Sequence, residues 1–233
     1  LVFATDSTET STESTTETTT ETSTETTTET TTATVENSTD STTVQAVTFS
    51  DVPADYWGAK YINELASNKV VNGYSDGTFL PNNEVKRADF IIMLLKGIGV
   101  DVTKAPQSNF SDVENGAYYY NAVGLAKDLG IANGNGDGTF SPASNITRQD
   151  MMVMVANALN AMGVELDTDV ACLDNFSDTV GIANYARTSV AALVNAGIVK
   201  GSNNKIDPVK NITRAEMAQL VKGVYDKALT IAE

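Results

Sequence analysis

Three arginines in this chain stand where an arginine has to be explained. Arg87, Arg148 and Arg214 each sit one residue behind a helix-start signal, in Val85-Lys86-Arg87-Ala88-Asp89, Ile146-Thr147-Arg148-Gln149-Asp150 and Ile212-Thr213-Arg214-Ala215-Glu216, and an apolar run follows each. A cation in the first helical turn faces the positive end of the helix dipole, which costs a few tenths of a kcal/mol. Making an unfavourable choice three times requires a reason, and two stand open. One is structural: each arginine pairs with an aspartate of its own segment, Asp51, Asp112 or Asp178, and fastens the start of that segment to its second helix. The other is chemical: free N–H groups at a helix start, together with a guanidinium, form an anion site well suited to a carboxylate. The two readings are compatible.

Other recurring positions carry a similar double meaning. Trp57, Tyr118 and Tyr185 read first as core aromatics at helical spacing, but such rings also stack on the apolar face of a sugar. Gly73, Gly134 and Gly201 read as helix terminators, and a missing Cβ also lets a ligand approach the backbone. The run Asn133-Gly134-Asn135-Gly136-Asp137-Gly138 invites comparison with a calcium loop, yet it lacks the opening Asp and places Ser144 at the twelfth position, where a bidentate Glu is required, so calcium in that geometry is not expected.

Histidine is absent, which removes the commonest general base and metal ligand together. Cys172 is the single cysteine, so no intramolecular disulfide or CxxC site exists, and it reads as a small buried apolar residue. No nucleophile motif, phosphate-binding glycine loop or metal-ligand cluster appears. An acidic chain always offers carboxylate pairs, but the recurring Asp and Glu are accounted for by caps and turns. The expectation is a chain without catalysis or cofactor.

The formal net charge is -15, and no Lys or Arg precedes Lys60, while Asp6, Asp40 and seven Glu fall in the first 47 residues. Such a balance disfavours duplex nucleic acid and polybasic membrane association, both of which need Lys and Arg. No run reaches the roughly 18 to 20 apolar residues that cross a bilayer. Residues 1–47 form an acidic Thr/Ser/Glu-rich segment with little to bury, and Glu9 through Glu29 recur every fourth residue, so like charges would stack on a helix. An extended spacer is expected there, with Ser and Thr as candidate O-glycosylation sites. Leu1-Val2-Phe3-Ala4 reads either as the tail of a signal-peptide apolar core or as an arbitrary boundary.

Beyond the spacer the chain repeats itself. Phe49-Ser50-Asp51-Val52 returns as Phe110-Ser111-Asp112-Val113 and Phe176-Ser177-Asp178-Thr179. Each is followed by its aromatic, an amphipathic stretch, its glycine, a loop ending in Pro81, Pro142 or Pro208, and its arginine motif. The units take residues 48–107, 108–173 and 174–233, each reading helix, loop, helix. Trp57, Tyr61, Ile62 and Leu65 have helical spacing, with a stop near Gly73. Thr213 with Glu216 forms a capping box, Thr147 with Asp150 a near version, and Lys86 offers no capping oxygen. The second helices, such as Phe90 to Leu95 and Met151 to Ala156, are apolar all round and should be buried. Three of them meeting on a common axis predict one mainly α, pseudo-threefold domain.

Together, Phe-Ser-Asp-Val, the aromatic, the glycine turn, Asp-Gly-Thr-Phe-x-Pro and Ile-Thr-Arg-Ala-Glu resemble the S-layer homology family over about residues 48 to 229. The resemblance implies a three-pronged helical bundle that attaches secreted proteins to the bacterial cell surface. Its implied partner is secondary cell-wall polysaccharide bearing a pyruvylated amino sugar, held in grooves between repeats. The residues carried over as contacts are Arg87, Arg148 and Arg214, with Asp51, Asp112 and Asp178 positioning them, then Trp57, Tyr118 and Tyr185, and Gly73, Gly134 and Gly201. Other surface-layer subunits, or a cargo joined through the spacer, are further partners that it allows. This sequence departs from the pattern at Lys86, at Gln149-Asp150, and in the third repeat, where Ser202-Asn203-Asn204-Lys205-Ile206 replaces Asp-Gly-Thr-Phe.

Overall fold

The computed structural model describes residues 47–232, so the expectations for the spacer and for residues 1–4 lie outside the described residues. The repeats supply two α-helices each: α1 (Ala59–Ser67) and α2 (Arg87–Gly97), α3 (Tyr120–Asp128) and α4 (Arg148–Ala161), α5 (Arg187–Asn195) and α6 (Arg214–Ala232). Three short 3-10 segments, Val170–Asn175 across the boundary of the second and third repeats, then Thr179–Gly181 and Asn184–Ala186, precede α5. Among the described residues there are isolated bridges but no strands.

The two α-helices of a repeat do not take each other as main partners. α3 lies against α2, α5 against α4, and α1 against α6, so the first helix of every repeat rests on the second helix of the repeat before it, and the third closes on the first. Neither helix of a repeat can bury its apolar face at home, and so one core forms from all three. Ile62, Leu65, Phe90, Ile91, Leu94, Leu95, Met151 and Met152 are all fully enclosed in it. The expected burial of the second helices follows, because α2 and α4 have too few polar positions to face water along a side.

Backbone hydrogen bonds run in the same circle. Val85 N donates to Ile212 O, Ile146 N to Val85 O and Ile212 N to Ile146 O, at 3.1, 2.9 and 3.2 Å. Beside them the Glu84 carboxylate accepts from the side-chain amides of Asn145 and Asn211.

Two local expectations need correction. α1 begins at Ala59 and ends at Ser67, so Trp57 precedes the helix and Gly73 does not terminate it. The left-handed residues that close the first helices are Lys69, Gly130 and Gly197, with φ of 59°, 69° and 69°. After each, an N–H reaches back five residues, from Val70 to Leu65 O, Ile131 to Ala126 O and Ile198 to Leu193 O, completing a Schellman motif.

Candidate functional site

Each arginine is built into a joint between repeats, and the joint starts from an aspartate. Asp51 accepts hydrogen bonds from Phe79 N and Leu80 N, Asp112 from Phe140 N and Ser141 N, and Asp178 from Ile206 N and Asp207 N, all between 2.7 and 2.9 Å. The second residue of each pair has positive φ, 55° at Leu80, 58° at Ser141 and 54° at Asp207, although each is a non-glycine immediately ahead of a proline. Such backbone costs on the order of 1–3 kcal/mol and persists only where its surroundings over-determine it, which the two charge-assisted bonds do.

The strained peptide turns a carbonyl towards the preceding repeat. Arg87 Nε donates to Phe140 O at 2.9 Å, Arg148 Nε to Ile206 O at 2.8 Å, and Arg214 Nε to Phe79 O at 2.7 Å. Each arginine is the first residue of its helix. Pairing with the aspartate of its own repeat is therefore not what the structure contains. The aspartate holds a loop, and the arginine that meets that loop comes from the neighbouring repeat. Phe140 and Phe79 also lie under the guanidinium groups of Arg87 and Arg214, at 4.9 and 4.3 Å.

Beyond this shared joint the three sites diverge. Arg87 Nη1 meets the Asp150 carboxylate at 3.3 Å, and Tyr185 Oη donates to the other oxygen of Asp150 at 2.5 Å. Burial lowers the Arg87 pKa, with Asp150 opposing it, while burial and then the bond to Asp150 push the Tyr185 phenol up to about 12. Arg148 stands 3.9 Å from Glu216, whose oxygens are taken instead by Thr213 N at 2.9 Å and Lys210 Nζ at 3.1 Å. Burial would raise the Glu216 carboxyl, but the Thr213 N–H and Lys210 outweigh it and hold it below its ordinary value. Arg214 Nη2 donates to Asn72 O at 2.9 Å and the guanidinium lies under Tyr74 as well. Near it Tyr118 donates to Asp89 at 2.6 Å, and burial first and that bond second raise the phenol well above its usual value.

The reading of the aromatics as core is overturned. Trp57, Tyr118 and Tyr185 are 52%, 71% and 60% exposed. Tyr118 and Tyr185 spend their hydroxyls on a carboxylate of another repeat and present their rings outward, whereas Trp57 has no hydroxyl to spend. The glycines are explained by packing. A Cβ on Gly73 would lie 2.2 Å from Phe49 Cε1, one on Gly134 2.5 Å from Thr139 O, and one on Gly201 2.6 Å from Lys205 O. The opening Phe of each repeat thus rests on its own glycine.

Two clefts open beside the joints. One, of about 560 Å³, is lined by Arg87, Asn133, Gly134, Asp150, Asn157 and Tyr185 among others, and so draws on all three repeats. The other, of about 410 Å³, runs past Arg148, Lys200, Gly201, Glu216, Lys222 and Lys227. Sequence reasoning explained Asp150 and Glu216 as caps and missed that each stands beside an arginine of the preceding repeat; the recurrence of an acidic residue two places after Arg, at Asp89, Asp150 and Glu216, was the available signal. In the suspected calcium loop, Asp137 is occupied by the N–H and hydroxyl of Thr139. Among the described residues no group of three His, Cys, Asp or Glu is placed to hold a metal, and no helix is long and apolar enough to cross a membrane. Cys172 is half-buried, its thiol directed at Ala191 O.

The S-layer homology domain model matches residues 48–91, 109–152 and 175–218, more than half of the chain. An amylopullulanase of Thermoanaerobacterium thermosulfurigenes is 34% identical over 182 residues, 78% of this chain and 10% of that protein. The exoglucanase XynX of Acetivibrio thermocellus is 32% identical over 79% of this chain and 17% of its own length. The S-layer protein sap of Bacillus anthracis is 31% identical over 75% of this chain and 21% of its own length. The chain thus spans about a tenth to a fifth of these relatives. With three matched repeats, each carrying its arginine at the start of its second helix, the chain belongs to the S-layer homology family.

Proposed function

We propose that the chain is a non-catalytic anchor that holds a secreted protein to the bacterial cell wall by binding wall polysaccharide in the clefts between its repeats. The observation that carries this reading is the delivery of Arg87 and Arg148, each through the same aspartate-braced joint, to the edge of an open cleft. What suits a carboxylate-bearing sugar is the guanidinium with backbone free of Cβ at Gly134 or Gly201 beside it, and at the first cleft the ring of Tyr185; the helix-start N–H groups expected to take part are spent on loop carbonyls, Arg87 N on Ser144 O and Arg148 N on Lys210 O, both at 2.9 Å. The pseudo-threefold, three-pronged arrangement belongs to this reading, since clefts at successive joints allow one polymer more than one point of attachment.

Binding to wall polysaccharide purified from the producing bacterium tests the reading. Arg148→Ala, with its helical circular dichroism unchanged, is expected to weaken binding at least about tenfold, or roughly 1.4 kcal/mol. No binding by the unaltered protein overturns the function, and unchanged affinity in the variant overturns the site.

A second reading is favoured by the lengths of the relatives. Where a match covers a tenth of an amylopullulanase or a fifth of an S-layer protein, it is one part of a larger protein. The chain would then be the attachment part of a surface enzyme, scaffold or lattice subunit. The full reading frame of the gene separates these, and sedimentation without polysaccharide tests lattice self-assembly, which a strict monomer at high concentration excludes.

A further inference from the structure

An asparagine followed by glycine carries both partners of a ring closure. The glycine nitrogen can reach the asparagine side-chain carbon, and with no Cβ on the glycine nothing obstructs the approach. The chain has four such pairs, Asn72-Gly73, Asn115-Gly116, Asn133-Gly134 and Asn135-Gly136, and two related Asp-Gly pairs, Asp76-Gly77 and Asp137-Gly138. Closure requires the peptide between the two residues to turn and the side chain to be free and uncharged. The fold withholds at least one of these at every pair but Asn115-Gly116.

At Asn72 and Asn133 the peptide is held, because Gly73 lies against Phe49 and Gly134 against Phe110, and Asn72 O also accepts from Arg214 Nη2 at 2.9 Å. At Asn135 the side chain is held: Nδ2 donates to Thr139 Oγ1 at 2.8 Å and to Ser141 Oγ at 2.9 Å, and the backbone N–H donates to Thr139 O at 2.8 Å. Asp76 and Asp137 accept from the hydroxyl and the N–H of Thr78 and Thr139, bonds that hold both carboxyls below their ordinary pKa. They stay ionised, and a carboxylate resists attack by a nucleophile.

Asn115 and Gly116 form the middle of an exposed turn that one bond closes, Ala117 N to Glu114 O at 3.2 Å. The central peptide of such a turn takes no part in closing it. Among the described residues neither Asn115 O nor Gly116 N is hydrogen-bonded, the Asn115 side chain has no partner, and a Cβ on Gly116 would meet nothing within 4 Å.

We propose that Asn115-Gly116 is a self-modification site, where the chain converts its own asparagine to aspartate and isoaspartate with water as the only co-reactant. The deprotonated Gly116 nitrogen attacks Asn115 Cγ and forms a bond to it. The Cγ–Nδ2 bond breaks, the proton lost from Gly116 is made up on Nδ2, and ammonia leaves a five-membered imide. Water opening the imide at Cγ gives aspartate on an unchanged backbone. Opening at the main-chain carbon gives isoaspartate, whose backbone runs through Cβ and Cγ and is one methylene longer. The change falls between Asp112, which braces the Phe140–Ser141 loop, and Tyr118, which bonds to Asp89 of the preceding repeat.

The test is incubation of the full chain in mildly alkaline buffer, folded or in urea, with peptide mapping by mass spectrometry to follow amide-to-acid conversion at each of the four asparagines. In the folded protein Asn115 should convert at least about fivefold faster than Asn72, Asn133 or Asn135. In urea, where only the local sequence acts, the four rates should fall within about threefold of one another. Protein isoaspartate methyltransferase should label the peptide that holds residue 115. Asn115→Gln, whose longer side chain would have to close a six-membered ring, should keep the helical circular dichroism and abolish that label. A smaller margin in the folded protein, no conversion at Asn115, the same margin in urea as in the folded protein, or a label that persists in Asn115→Gln each overturns the proposal.

Discussion

The joints between repeats and the clefts beside them are made from the same six motifs, yet they behave differently from one copy to the next. At the joints, corresponding hydrogen bonds agree to within 0.2 Å or less in all three repeats: Asp51, Asp112 and Asp178 to their loops, and Arg87, Arg148 and Arg214 to the loop carbonyls. At the clefts the arginine and the glycine recur, but what surrounds them does not. The carboxylate beside the arginine is Asp150 at 3.3 Å in one and Glu216 at 3.9 Å in the other, and the aromatic lining the cleft is Tyr185 in one and Tyr61 in the other. Closing a ring of three requires each joint to have one geometry, so sequence variation there is confined. Ligand recognition carries no such requirement, and the copies are free to specialise.

The strongest way to break that comparison is to remove the aspartate from one joint at a time. Asp51→Ala, Asp112→Ala and Asp178→Ala each strand two backbone N–H groups and release a strained left-handed residue. Each is expected to cost about 2–4 kcal/mol. Urea unfolding should give three losses that agree to within about 1 kcal/mol, the ordinary margin for equivalent sites. Losses that differ as widely as the clefts do would mean that the joints are not equivalent.

Much of this architecture is legible in the sequence wherever it depends on local chemistry. Phe90 to Leu95 declares a buried helix because no side of it is polar, and Thr213 with Glu216 announces a reciprocal cap that the structure contains, with Glu216 N donating to Thr213 Oγ1. What local pattern does not contain is which repeat answers which. Arg87 lies 53 residues from Phe140, and Arg214 lies 135 from Phe79. A single repeat fits pairing with its own aspartate equally well. Only closure of the ring decides between the two, and closure is a property of the whole core. Trp57 was misread for a related reason: four residues before Tyr61 it has helical spacing, but the chain turns through Tyr56, Trp57 and Gly58 before α1 starts.

Glu216 offers a finer probe, since it belongs to a cap and a cleft at once. Its folded pKa lies below the ordinary 4.5, so ionised Glu216 stabilises the fold. That contribution is complete above about pH 4.5 and disappears as pH falls through the lower folded value. Glu216→Gln keeps the shape and removes the charge, and should cost about 1 kcal/mol at pH 7 by urea unfolding. The difference between the two proteins should shrink to nothing in acid below the folded pKa. A difference that stays constant down to pH 3 would show that the charge plays no part in the cap.

The smallest expected effect concerns the closure of the first helices, where one repeat disagrees with the other two. Gly130 and Gly197 close α3 and α5 in the left-handed region, where Lys69 closes α1 at φ 59°. A side chain there costs about 1 kcal/mol or somewhat more, and glycine would relieve it, but glycine also gives the unfolded chain about 0.5–1 kcal/mol more entropy to lose. Lys69→Gly should therefore stabilise by only about 0.5 kcal/mol, raising Tm by about 1–2 °C in a domain of this size. Lys69 lines neither cleft, so wall binding should not change. The reverse replacement, Gly130→Lys, should lower Tm by about the same amount. If Lys69→Gly fails to stabilise, something other than helix closure holds that residue left-handed.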